Sequence, residues 1–151
     1  MSDRSLKIDI IENGIVIDHI KAGNSMKIYN YLNLADLDCT VAVIKNVKSK
    51  KHGFKDLIKI ENHLDIDLDV LGFFDNNVTI NIIKNGQITD KKNLKLPERV
   101  RNVVRCKNPR CICFVEHDLE NVFELSDESR QIYRCIYCQQ EVGKSEVSML
   151  Y

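Results

Sequence analysis

Residues 6–11 and 15–20 are two Ile- and Val-rich stretches flanking Glu12-Asn13-Gly14. This pattern predicts a strand interrupted by a bulge or tight turn, with Gly14 supplying a positive φ. Asn24 and Ser25 are capping residues for a helix running to about Leu34, with Ile28, Tyr29 and Leu32 on one side. The β-branched run 40–45 (TVAVIK) reads as a strand, the Lys-rich segment 45–55 as a turn around Gly53, and DLIKIE at 56–61 as the returning strand of a hairpin. Asp65 or Asp67 is placed to cap a short helix through Phe74 that buries Leu68, Leu71 and Phe74. Residues 78–83 and 88–91 then form strands about Asn85-Gly86, a strong hairpin dipeptide.

The order is therefore strand, helix, strand, strand, helix, strand, plus one edge strand. It predicts an α+β fold whose N-terminal part is a ferredoxin-like antiparallel sheet with two helices on one face. The opposite face is left for a ligand, solvent or a partner. Residues 92–104 follow as a linker broken by Pro97. Beyond it, short strands are expected at 114–115, 122–125 and 132–134. The division falls at residues 1–96 and 97–151, the second part being a small β-domain bound around zinc.

That expectation rests on the cysteines. Cys106 and Cys111 in CKNPRC, and Cys135 and Cys138 in CIYC, form two close pairs joined by a β-compatible spacer. Each pair fits a tight turn, Asn108 and Pro109 supplying turn chemistry in the first, and two such turns facing each other make a tetrahedral four-sulfur site. Four thiolates leave no open coordination position, so one zinc per chain would be structural and not catalytic. Four reduced, buried thiols or two disulfides are the other readings of the same residues. Cys39 and Cys113 remain outside the set and read as buried thiols. Cys113, two residues past a ligand, is close enough to compete for metal, although the four-residue gap of Cys106 and Cys111 suits a single zinc better.

Length and charge narrow the classes. A chain of 151 residues makes one ordinary domain or two small ones, and a segment of about 50 residues buries so little core that a metal staple is expected. The 22 basic and 22 acidic side chains cancel, which argues against a general nucleic-acid binder. No long apolar run suggests a membrane span, and MSDRSLK lacks the apolar core of a secretory signal, so a cytoplasmic location is expected.

Candidate chemistry in the first part centres on charged residues set among apolar ones. Asp18 and His19 in VIDHI occupy adjacent strand positions, so alternation points them to opposite faces and no simple dyad is expected. Lys55, Lys59 and Lys91 lie on or near strands of one sheet, Lys59 between Ile58 and Ile60. Either that face is solvated or it holds an anion. Asn81 and Thr79 share the parity of one face and offer neutral hydrogen-bonding partners. Lysines for phosphates and Asp18 for ribose would suit a nucleotide, yet no GxGxxG or Walker loop is present. No nucleophile–base arrangement or HExxH helix supports catalysis. His52, His63 and His117 fall in polar, turn-like stretches. The basic linker (Arg99, Arg101, Arg105, Lys107, Arg110) is balanced by acidic residues across 95–151. A zinc-ribbon nucleic-acid-binding protein is the alternative class, and it would need a basic, aromatic-studded sheet that Trp-free strands do not offer.

In this order and spacing VIDHI, GFKDLIKIEN, TINII, LPERVRNVVRC, CKNPRC and CIYC closely resemble the regulatory chain family of aspartate carbamoyltransferase, across essentially the whole chain. The resemblance implies a non-catalytic subunit in pyrimidine biosynthesis. Its N-terminal domain would bind nucleotide effectors and its zinc domain would dock on the catalytic chain. In that family three regulatory homodimers hold two catalytic trimers, CTP inhibits, ATP activates, and UTP acts with CTP. Carried over by motif, the Ile11 backbone would read the base and Asp18 the ribose, with His19, Lys59 and Lys91 at the phosphate and ribose region. Ile8, Asp9, Val16, Lys55, Leu57, Asn81, Ile83 and Ile88 would line the site or a second nucleotide. Cys106, Cys111, Cys135 and Cys138 would be the zinc ligands. Gly86 departs from the pattern, standing where some members carry a larger side chain whose backbone helps frame the base.

Overall fold

The computed structural model describes residues 11–50, 53–62, 68, 70–75, 77–143 and, for the backbone alone, 148–149. The expected strand at 6–10 and the helix caps Asp65 and Asp67 lie outside the described residues, as do the site candidates Ile8 and Asp9.

The first half is built from β1 (Gly14–Lys21), α1 (Ser25–Tyr31), a 3-10 turn (Leu34–Asp36), β2 (Val41–Ser49), β3 (Gly53–Glu61), α2 (Leu71–Phe74), β4 (Thr79–Lys84) and β5 (Gln87–Asn93). The sheet order is β2-β3-β1-β4-β5, with every pairing antiparallel. This is the ferredoxin-like arrangement with β5 added outside β4. One face is sealed by the helices: Ile15, Ile17, Ile20, Ile58, Ile60 and Ile80 pack with Ile28 of α1 and Leu71 and Phe74 of α2 in one buried cluster. Fully burying each such side chain contributes roughly 1.5–3 kcal/mol, which makes this apolar face the main source of cohesion.

Several local expectations are corrected. Segment 45–55 is mostly strand and not a turn: β2 runs to Ser49 and β3 starts at Gly53, with Lys48 opposite Phe54 and Ser49 opposite Gly53. Lysines are common on such an edge strand, where they face water and discourage pairing with other chains. Helix α1 ends at Tyr31, earlier than predicted, because the backbone turns left-handed at Asn33 (φ 52°). Asn24 makes no side-chain cap. Its place is taken by Asp56 of β3, whose carboxylate accepts from Ser25 Oγ (2.6 Å) and from the backbone amides of Gly23, Ser25 and Asn46. A buried acidic residue on the core-facing side of β3 thus satisfies the start of α1 and a bulge in β2 together. Gly14 is required by close approach: a Cβ there would lie 2.1 Å from the Ile60 carbonyl oxygen.

The second half contains β6 (Arg99–Arg101), β7 (Val104–Arg105), α3 (Ile112–Val115), β8 (Val122–Asp127), β9 (Ile132–Cys135), β10 (Glu141–Gly143) and β11 (Ser148–Met149). They form a four-stranded sheet β10-β9-β8-β6 and a ribbon β11-β7. The expected linker 92–104 is therefore largely structured, since it ends β5 and supplies β6 and the start of β7. Residues 114–115 are helical and not a strand, because the chain turns directly after Cys111, whose carbonyl accepts from the amides of Phe114 and Val115. The two halves share a continuous core. Phe73 of α2 meets Tyr133 of β9 edge-on at 5.2 Å, and the Tyr133 hydroxyl donates to the Pro97 carbonyl at 2.8 Å. A Cβ on Gly72 would strike the Lys95 carbonyl oxygen at 2.0 Å, so only glycine lets α2 sit this close to the connection.

Asp56→Ala should lower the unfolding free energy by about 3 kcal/mol in urea titrations, because buried amides lose their acceptor. Burial alone would raise the Asp56 carboxyl pKa, but the Ser25 hydroxyl and the three amides outweigh it and hold it below the ordinary value. Its folded pKa being depressed, this contribution should be present above the unfolded value of about 3.9 and fade as pH falls through the lowered one. Loss of the wild type's acid-limb stability difference from Asp56→Ala checks the sign.

Candidate functional site

The sheet face away from the helices is set by register. Val16 of β1 lies opposite Lys59 of β3 and Asn81 of β4, Lys59 is opposite Ala42, and Asn81 is opposite Lys91 of β5. One row thus crosses all five strands as Ala42, Lys59, Val16, Asn81 and Lys91. The neighbouring core row contains Ile58, Ile17 and Ile80, so alternation decides which groups face out. Lys55 and Leu57 share the outward parity of Lys59, and Thr79 pairs with Asp18. At the other end Ile83 pairs with Ile88 beside the Asn85-Gly86 turn. Both turn residues have positive φ (53° and 75°), as a type I′ hairpin requires. The Gly86 amide donates to the Glu12 carbonyl (2.9 Å), and Asn13 accepts from the Asn85 amide, so the turn is clasped to the segment after the buried Ile11.

The expectation that Asp18 and His19 face opposite ways is corrected. His19 has φ 59° and forms a bulge, so the β1–β3 register shifts between Ile17 and Ile20. The bulge turns the His19 amide onto Asp18 Oδ1 (2.6 Å) and leaves His19 Nδ1 3.8 Å from Asp18 Oδ2. Lys55 Nζ sits 2.8 Å from the same carboxylate. Burial would raise the Asp18 pKa, but Lys55 and the His19 amide outweigh it and keep the carboxyl below its usual range. Asp18 therefore remains an ionised acceptor well below neutral pH. A cavity of about 520 Å³ opens beside this group, lined by His19, Lys21, Phe54, Lys55, Asp75 and Asn77 among others. Phe54, Asp75 and Asn77 were missed by sequence reasoning. Their only signal is spatial, since Asp75 reaches the Lys21 amide across 54 residues of chain.

Two polar atoms near this face are buried without a hydrogen-bond partner among the described residues: Asn81 Oδ1 and His19 Nδ1. Buried polar groups are normally paired, so these two atoms remain open to a further hydrogen bond. The face can therefore offer cations (Lys59, Lys91), a carboxylate (Asp18), an open carboxamide and apolar flanks (Val16, Leu57, Ile83). That set suits a phosphorylated ligand with hydroxyl groups.

The second site lies in the other half. The sulfur atoms of Cys106, Cys111, Cys135 and Cys138 are all within 4.8 Å of one another, and the first three residues are buried. Local turns bring them in. The Cys111 amide donates to the Asn108 carbonyl (3.0 Å), and Asn108 Oδ1 accepts from the Arg110 amide. The Cys135 carbonyl accepts from the Gln139 amide, Gln139 being left-handed (φ 64°). Asn121, next to β8, accepts from the Cys106 amide. Burial pushes the Cys106 thiol up to about 12 and raises Cys135, whereas donors from Cys113, Cys135 and Cys138 outweigh burial at Cys111 and bring it down to about 7. Four sulfurs gathered in one largely buried pocket fit a divalent ion that would hold all four as thiolates.

Two comparisons decide the family. The description "aspartate carbamoyltransferase regulatory chain, allosteric domain" matches residues 6–95, and "aspartate carbamoyltransferase regulatory chain, metal binding domain" matches residues 98–148. This chain belongs to the aspartate carbamoyltransferase regulatory chain family. Regulatory chains of Clostridium acetobutylicum and Clostridium botulinum are similar, at 52% identity over 89% of this chain and 92% of theirs, and 48% over 96% and 99%. That of Bifidobacterium longum is 43% identical over 90% of this chain and 98% of its own. The four-cysteine pocket thus lies within the metal-binding domain of the regulatory chain family, and the mixed polar sheet face within its allosteric domain. Among the described residues no helix is long and apolar enough to cross a membrane.

Chelation of the metal should strip protection from amides around residues 106–138 while those of β1, β3 and β4 stay protected. Hydrogen exchange by mass spectrometry with and without chelator checks this. Equal loss in both halves would mean that the metal stabilises the chain as one unit.

Proposed function

We propose that this chain is the non-catalytic regulatory subunit of a cytoplasmic aspartate carbamoyltransferase in pyrimidine biosynthesis. In this reading residues 1–96 bind a nucleotide effector and residues 97–151 dock on the catalytic chain. The row of Lys59, Val16, Asn81 and Lys91 across the open face, beside the Asp18–Lys55 pair, carries the reading. Phosphate oxygens take Lys59 and Lys91, the ribose hydroxyls take Asp18, and the base lies toward the Ile11 backbone and the hairpin turn. His19 and Lys55 complete the phosphate end, and Leu57, Ile83 and Ile88 form apolar walls. Ile8 and Asp9 join the site or a second nucleotide. CTP and ATP are the competing effectors, with UTP as a companion to CTP.

One zinc per chain, held by Cys106, Cys111, Cys135 and Cys138, organises the docking surface. Around these knuckles Ile112, Phe114, Val115 and Tyr137 are exposed, an apolar group that a catalytic chain would cover. Homodimers formed through the first half would let three pairs bridge two catalytic trimers. The shared core at Phe73 and Tyr133 gives a contact through which nucleotide binding biases the docking half. A coupling of about 1–3 kcal/mol suffices for effects of this kind, and linkage makes it reciprocal.

Lys59→Ala and Lys91→Ala should each weaken CTP binding at least about tenfold by calorimetry, on the scale of a lost charged hydrogen bond. Zinc content and sedimentation with catalytic trimers should be unchanged. Cys138→Ser should show the opposite division, losing the zinc-dependent complex while CTP binding persists. If a bisubstrate analogue of the catalytic chain leaves CTP affinity in the complex unaltered, allosteric linkage is excluded.

A further inference from the structure

Five cysteines, and not four, converge in the second half. Cys113 follows Cys111 by two residues on α3 and is 4% exposed, whereas its neighbours Ile112 and Phe114 are 54% and 38% exposed. The short helix therefore turns this one side chain inward. Its sulfur lies 3.2 Å from that of Cys111 and 3.9 Å from that of Cys135, yet it is not one of the four whose sulfurs are all mutually within 4.8 Å.

We propose that Cys113 is a positioning residue for the metal site: its thiol donates a hydrogen bond to the Cys111 sulfur and holds it for the metal without becoming a ligand. The inference rests on the reading that the four-cysteine pocket binds a divalent metal. Four thiolates around such an ion leave a net negative charge in a dry environment, and buried charge of that kind needs hydrogen-bond donors. A tetrahedral set is filled by four sulfurs, so a fifth thiol 3.2 Å from one of them is placed to donate to it and not to ligate. Cys111 is the ligand that the donor would restrain most, because it also begins α3 and so ties the pocket to the exposed Ile112, Phe114 and Val115. Groups that hydrogen-bond to ligands in this way typically change metal affinity 10–100-fold when removed.

Three variants of the full chain separate donation from packing. Cys113→Ala removes the donor and volume, Cys113→Val removes the donor and keeps the site filled, and Cys113→Ser keeps a donor. Zinc dissociation constants are measured by chelator competition, and cobalt(II) loading reports the sulfur-to-metal charge-transfer band. The expected result is a 10–100-fold weaker zinc affinity for both Ala and Val. Their charge-transfer bands should also move to lower energy at unchanged four-sulfur intensity, while Ser stays close to wild type. Wild-type affinity and band position in Val overturn the proposal and leave Cys113 a packing residue. A loss of about one sulfur's intensity in Ala and Val overturns it differently, by making Cys113 a ligand. Failure of the wild-type chain to bind either metal would instead sink the metal-site reading itself.

Discussion

Strand β1 is hydrogen-bonded on both edges, to β3 and to β4, and its alternation is shared by both ladders. A one-residue slip along either would exchange the row of Ile58, Ile17 and Ile80 for the row of Lys59, Val16 and Asn81. It would bury lysine against the helices and expose isoleucine to water. The apolar core therefore specifies the polar face, and the charged groups need no separate device to assemble them. The same constraint makes the bulge at His19 consequential. One extra residue lets Asp18 keep its place opposite Thr79 while His19 drops out of both ladders, and Ile20 returns to the core opposite Asp56.

The two halves solve the problem of small size by different means. The first has a sheet face large enough to bury a contiguous set of isoleucines under α1 and α2. The second has short strands and relies on Phe123, Tyr133 and the sulfur cluster for its interior. A structural metal in such a module supplies folding free energy that a small core does not, on the order of 10–16 kcal/mol in small zinc modules. Because Phe73 and Tyr133 are in contact across the junction, the halves are not independent beads. The carbonyls of Lys95 and Pro97 are both used there, one against Gly72 and one by the Tyr133 hydroxyl, so the connection is part of the core.

Much of this was legible in the residues themselves. Short-range periodicity placed β1, β3 and β4, the Asn-Gly pair placed the β4–β5 turn, and the paired cysteines placed the four-sulfur pocket, because each is a local pattern with one dominant geometry. The shared parity of Asn81 and Thr79 also followed from counting by twos. Where counting failed, a competing contact had intervened. Residues 45–49 are polar but extended because β3 offers them a ladder. Residues 114–115 look like a strand but close a turn onto the Cys111 carbonyl.

By itself, then, the sequence determined the antiparallel α+β character, the β4–β5 turn and the residues that gather sulfur, since all of these depend on neighbours along the chain. Tertiary structure alone decided the rest. Asp56 caps a helix 31 residues away, Asp75 joins the cavity beside His19, Phe73 locks onto Tyr133, and Cys113 turns toward Cys135. The physical reason is common to all four. Each interaction satisfies a polar group or fills a space that exists only once two distant segments have packed, and no local pattern encodes it.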